Sequence, residues 1–150
     1  MKLAEALMQR AQMQQRLDNL QSRILANLKV QEGTEAHEDP QELIAQAFAT
    51  NDELGALITK INARNMATIL PDGKRLSDVL TGRDTLMRKR NLLAACAGKA
   101  MEPDYRLARA EVKMLVTVSV SDLQKRVDLL SKELRELDVK IQEVNWTTEL

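Results

Sequence analysis

Four polar side chains in this sequence could meet and do chemistry. Asn62 and Asn65 lie three residues apart in the stretch 61–80, and Arg83 and Asp84 follow a short turn later. Two amides with a guanidinium and a carboxylate could hold a phosphate or carboxylate by charge-assisted hydrogen bonds. The same spacing allows a structural reading: the amides tie a helix end to the turn and fix register, as buried asparagines do in coiled coils. An internal pair between Arg83 and an acid would leave the same trace in sequence. Arg83 lies on the helical line Val79, Arg83, Leu86, Arg90 and Leu93, so it points inward or to an edge.

A second candidate is a basic surface made by Lys74, Arg75, Arg83, Arg88, Lys89 and Arg90. Residues 74–109 carry nine basic and four acidic side chains, whereas residues 31–42 carry five acids and no base. The basic stretch could contact nucleic acid or an anionic ligand, or simply keep a helix solvated. Aromatic residues make up only 2% of the chain, so single-stranded nucleic acid would find few stacking platforms. With 22 basic and 22 acidic residues the formal charge is zero, which does not favour a dedicated polyanion binder.

Catalytic and metal chemistry find little support. His37 is the sole histidine and Cys96 the sole cysteine, so no zinc spacing and no internal disulfide exist. No glycine-rich phosphate loop is present, and no cofactor is expected. Glu133 and Glu136 have a spacing that magnesium-binding helical hydrolases use, but they interleave with Lys132, Arg135 and Lys140 and read as surface ion pairs. The expectation is a protein that is not an enzyme. Cys96, within "LLAACAGKA", reads as a buried and inert thiol.

The elements that must position these groups are mainly helical. Apolar residues over 3–28 recur at three and four (Leu3, Leu7, Ala11, Leu17, Leu20, Ile24, Leu28), predicting a first helix of about 26 residues. Gly33 and Pro40 bracket an acidic loop, the candidate mobile segment. Asp39 then caps a second helix to about Asn65, with Pro40 in its first turn and Glu42 three residues after the cap. Asn62 and Asn65 fall on what reads as its buried stripe. Thr68 and Ile69 before Asp72-Gly73 predict a short hairpin over 67–76, with both turn residues at positive φ. Ser77 opens a third helix to about Ala100.

Residues 111–118 alternate: Val112, Met114, Val116 and Val118 on one face, Glu111, Lys113 and Thr117 on the other. That pattern predicts a strand. It pairs either with its own hairpin or with a strand of another subunit. Ser119 and Asp122 cap a fourth helix whose Leu123, Val127, Leu130, Leu134, Leu137, Ile141 and Val144 form a heptad seam. The ending "EVNWTTEL" leaves that seam with Trp146, which either packs over a helix end or anchors an interface.

The sequence thus predicts one mainly α domain over 1–150. It comprises four long helices in an antiparallel, coiled-coil-like bundle, the first paired with the fourth, and a small β element. Leu123, Leu130, Leu137, Val116 and Trp146 are the candidate interface residues. Lys74, Arg75, Arg88 and Arg90 are the candidate anion contacts. No window approaches the roughly 20 apolar residues that a membrane helix needs. The N-terminus lacks the hydrophobic run of a signal peptide, so the expected setting is cytoplasmic.

Several stretches, "MKLAEAL", "EDPQEL", "LITKINARNMAT", "DGKRLSDVL", "RDTL" and the run from "VTVSVSDLQKRV" to "NWTTEL", together resemble a family of small bacterial proteins without established function, some labelled septicolysin. The resemblance covers nearly the whole chain. It implies a helical, oligomeric, cytoplasmic bacterial protein and brings no catalytic residues. The cytolysin label gains nothing from these residues. The reading that follows is a structural or protein-interaction protein that forms homo-oligomers, with a possible protein partner through the acidic loop or the Trp146 end. The alternative is nucleic-acid or anionic-ligand binding through the third helix.

Overall fold

The structure, a computed structural model, describes residues 1–103 and 113–150. Among these it contains four helices: α1 (Leu3–Ala26), α2 (Pro40–Ala67), α3 (Leu76–Met101) and α4 (Val120–Thr147). The mainly α expectation holds. The chain divides into two compact units, one formed by Met1–Ser77 with Gln142–Leu150, the other by Asp78–Ile141.

In the first unit α1 packs along α2. The pair is antiparallel, because Arg23 near the end of α1 binds Glu38 just before α2, while Met1 shares a groove with Lys60, Ala63 and Arg64 near the end of α2. The inward face of α1 runs Leu3, Ala6, Arg10, Met13, Leu17, Leu20, Ile24 and Asn27, all buried or half-buried. That is a continuous three-four alternation, the period of a coiled-coil seam. It differs from the expected stripe, since Ala11 and Leu28 are exposed and Arg10 and Met13 take their place. The seam of α2 runs Leu43, Ala47, Thr50, Leu54, Leu57 and Ile61, and continues to the half-buried Arg64 and Thr68. Asp39 caps α2 as expected, its carboxylate accepting from the Gln41 N–H at 2.9 Å, with Pro40 in the first turn.

The hairpin after α2 is present, with a three-residue turn, Pro71–Gly73, in place of the two-residue turn predicted. Ile69 and Arg75 form an antiparallel bridge. The Leu70 carbonyl accepts from Gly73 N–H at 2.9 Å, and Leu70 N–H donates to Lys74 at 2.8 Å. Only Gly73 has positive φ, at 83°; Asp72 does not. Pro71 presets the first central position of an ordinary turn, and the left-handed glycine follows it as a bulge, so the mirror-image two-residue turn is not needed. Asp72 instead accepts from Lys74 N–H at 3.2 Å. Leu76 N–H donates to Thr68 at 2.9 Å, and α3 starts at Leu76, which places Ser77 inside the first turn.

In the second unit the inward face of α3 runs Val79, Arg83, Leu86, Arg90, Leu93, Ala97 and Ala100, again in three-four alternation and all buried or half-buried. The heptad of α4 holds throughout: every residue from Leu123 to Val144 in the predicted seam is buried or half-buried. Ser119 caps α4, its hydroxyl accepting from Asp122 N–H at 3.2 Å.

The predicted strand is not found. Glu111 and Val112 lie outside the described residues, and residues 113–118 form no strand. Met114, Leu115, Val116 and Val118 are instead 68%, 81%, 59% and 48% exposed. Alternation gives a segment the side chains of a strand, but a strand also needs a backbone partner, and the described protomer supplies none.

The α1 stripes are told apart by truncation. Leu20 is 2% exposed and Leu28 53%. Leu20→Ala should cost about 2–5 kcal/mol in denaturant unfolding, and Leu28→Ala should stay within roughly 0.5 kcal/mol.

Candidate interaction surfaces

The two arginines on the α3 seam are engaged across to α4. Arg83 Nε donates to Asp138 Oδ1 at 2.5 Å, and Arg90 Nε donates to the Ser131 hydroxyl at 3.1 Å. Moving from the first contact to the second advances about two turns along α3 and retreats by the same amount along α4, so the helices run antiparallel. Asp138 adjoins the seam residue Leu137, and Ser131 adjoins Leu130. Each arginine therefore lays its aliphatic stem beside the apolar seam and sends its head to the rim. Asp84 is a weaker partner of Arg83 at 3.5 Å. The Asp138 hydrogen bond holds the Arg83 guanidinium charged, its pKa raised above the ordinary value, against some loss from burial.

The expected four-residue cluster divides between the two units. Asn62 and Asn65 belong to the first, Arg83 and Asp84 to the second. Asn62 is exposed and Asn65 half-buried. The seam passes through Ile61, and the next residue projects about 100° away from it, which takes Asn62 off the buried stripe. Among the described residues the buried amide is Asn145, only 5% exposed, beside Trp146, which is 52% exposed.

Of the other expected interface residues, Leu123, Leu130 and Leu137 are half-buried in the α4 seam, while Val116 is exposed. Of the expected anion contacts, Lys74, Arg75, Arg88 and Lys89 are exposed, and Arg90 is half-buried and bonded to Ser131 and Asn91. Cys96 is exposed, not buried. The α3 seam passes through its neighbour Ala97, which is 0% exposed. With Lys99, Ala100, Glu102 and Pro103, Cys96 lines one side of an open trough of 970 Å³ whose other side is residues 114–118.

Two polar junctions in the first unit had no clear sequence signature. At the α1–α2 loop, Arg23 makes a two-pronged ion pair with Glu38. Asn27 donates to the Arg23 carbonyl at 2.9 Å and accepts from Glu38 N–H at 3.1 Å. The acidic loop is therefore tied down at its far end. At the chain ends, Lys2 and Glu149 form an antiparallel bridge, reinforced by Lys2 Nζ to Glu149 at 2.5 Å and by Leu3 N–H to the Thr148 carbonyl at 2.8 Å. A 590 Å³ groove beside it is lined by Met1, Lys60, Ala63, Arg64, Ala67 and Leu150. Arg23 holds the Glu38 carboxyl below its usual range, and Lys2 with the terminal ammonium does the same for Glu149.

Among the described residues no three His, Cys, Asp or Glu side chains are grouped to hold a metal ion. Glu136 pairs with Lys132 at 4.0 Å, and Glu133 is exposed. No described helix is long and apolar enough to cross a membrane.

Residues 10–150 match the model of a family described as "Family of unknown function (DUF6847)". The chain belongs to that family. A crystal structure of a functionally unknown conserved protein from Corynebacterium diphtheriae is similar over 100% of this chain and 98% of that chain, at 38% identity and a TM-score of 0.89. The two proteins share one fold. None of the curated proteins matches the chain.

Two outcomes test these contacts. Lowered carboxylate pKa values stabilise the folded chain above the ordinary glutamate range, and that stability is lost as pH falls through the lowered values. NMR titration should place Glu38 and Glu149 below an unfolded glutamate, and Arg23→Gln should raise Glu38 alone. Arg83 and Asp138 retain substantial side-chain exposure, so a double-mutant cycle between them should return only about 0–1 kcal/mol.

Proposed function

We propose that this chain is a non-catalytic bacterial cytoplasmic protein that works by associating with copies of itself. One observation carries the reading: large apolar side chains are concentrated in the short segment 114–118, with Leu115 81% exposed. The helical seams, by contrast, are occupied within each unit. Contiguous apolar exposure of this kind marks an interaction site. Val139, Phe48 and Trp146, at 68%, 69% and 52% exposure, are further apolar positions open to solvent. Poverty in aromatics and the pairing of Glu136 with Lys132 and of Asp138 with Arg83 agree with a scaffold more than with a catalyst.

The alternative reading, an anionic ligand on α3, draws on Arg88 and Lys89, which are both exposed. It is the weaker one, because Arg83 and Arg90 of the same helix already bind Asp138 and Ser131. Phosphate contacts by the remaining cations would show as salt-sensitive binding.

Multi-angle light scattering tests the favoured reading. The expected mass at micromolar concentration is a multiple of 16.9 kDa. A single species at 16.9 kDa, the mass of one chain, across the whole accessible concentration range would overturn it.

A further inference from the structure

The exposed segment 113–118 has the alternating side chains of a strand but no strand pairing among the described residues. None of the backbone hydrogen bonds found among the described residues involves its N–H or carbonyl groups. A row of unpaired donors and acceptors flanked by apolar side chains is a template for another chain. Resting on the self-association reading, we propose that the partner is the same segment of a second copy, paired antiparallel about a two-fold axis through Val116.

The sequence of the segment is self-complementary in that register. Val116 faces Val116 of the second copy, and Met114 faces Val118. Leu115 faces Thr117 on the opposite side. The single charge, Lys113, faces Ser119, so no like charges meet across the pair. A two-fold axis sets each residue against one of the same side-chain parity, so the apolar set stays together on one face; a one-residue slip would break that match. An isologous contact of this kind closes at two copies. The flank of the trough beside the segment mixes Cys96, Ala100 and Pro103 with the ion-paired Lys99 and Glu102. A ladder of seven residues, 113–119, is a small interface, so the dimer fraction rises with concentration.

Directly opposed residues in an antiparallel pair have Cβ atoms about 4.5–5.5 Å apart, near disulfide reach. The test uses the full chain with Cys96→Ala and either Val116→Cys or Thr117→Cys, oxidised and run on a non-reducing gel. Val116→Cys should give a disulfide-linked dimer, and Thr117→Cys, which faces Leu115, should give several-fold less. In the wild-type background Val116→Lys, at a position already 59% exposed, should weaken association roughly tenfold or more by opposing two buried charges. Cross-linking equal at both positions, or absent at Val116, overturns the register. If the wild type associates and Val116→Lys associates equally well, the surface lies elsewhere and the self-association reading stands. If the wild type is monomeric throughout, both fall.

Discussion

Each helix of this protein must keep one narrow stripe against a neighbour, and the three-four alternation of that stripe is the constraint on which the structure rests. An α-helix turns every 3.6 residues, so a stripe that averages 3.5 stays on one face over several turns. All four helices have it, from Leu3 to Asn27, Leu43 to Thr68, Val79 to Ala100 and Leu123 to Val144. Arginine occupies several of these positions without breaking the seam, because its long stem is apolar while its head reaches water or a carboxylate. Arg83 on Asp138 and Arg90 on Ser131 sit two turns apart and pin α3 against α4 in one register. Arg10 holds the corresponding kind of position on α1, with its Nε buried and without a hydrogen-bond partner.

Those arginines also decide how much of the fold is legible from the residues. In α4 the seam is entirely Leu, Val and Ile, and its heptad can be read directly. In α1 the seam passes through Arg10 and Asn27, so counting apolar residues alone follows Ala11 and Leu28 onto the exposed face. The caps at Asp39 and Ser119 are legible because a short polar side chain before an apolar run has one common use. The turn at Asp72-Gly73 is legible in place but not in type, since Pro71 selects a different geometry. Asn62 and Cys96 each adjoin a true seam residue, and a one-residue error in phase is enough to turn an exposed side chain into a buried one on paper.

The junctions Arg23–Asn27–Glu38 and Lys2–Glu149 could not be read from spacing, because their members are brought together only by the antiparallel packing of the helices. They serve the fold: one closes the α1–α2 loop, the other joins the end of α4 to the start of α1. Among the described residues, large apolar side chains stay open to solvent in two settings: scattered on helix surfaces, and together in the compact run 114–118. The similar structure from Corynebacterium diphtheriae shares the fold over the whole of this chain, and the account of function rests on that run.

If association orders residues 113–118 while the seams are already complete in each copy, backbone protection must change in one place only. Hydrogen exchange measured across a series of protein concentrations reads this directly. The account predicts that alternate amides within 114–118 gain protection as concentration rises, while those of Leu20, Ile61, Leu86 and Leu134 keep theirs unchanged. Exchange at the unprotected rate in 114–118, under conditions where the protein is fully associated, would contradict it.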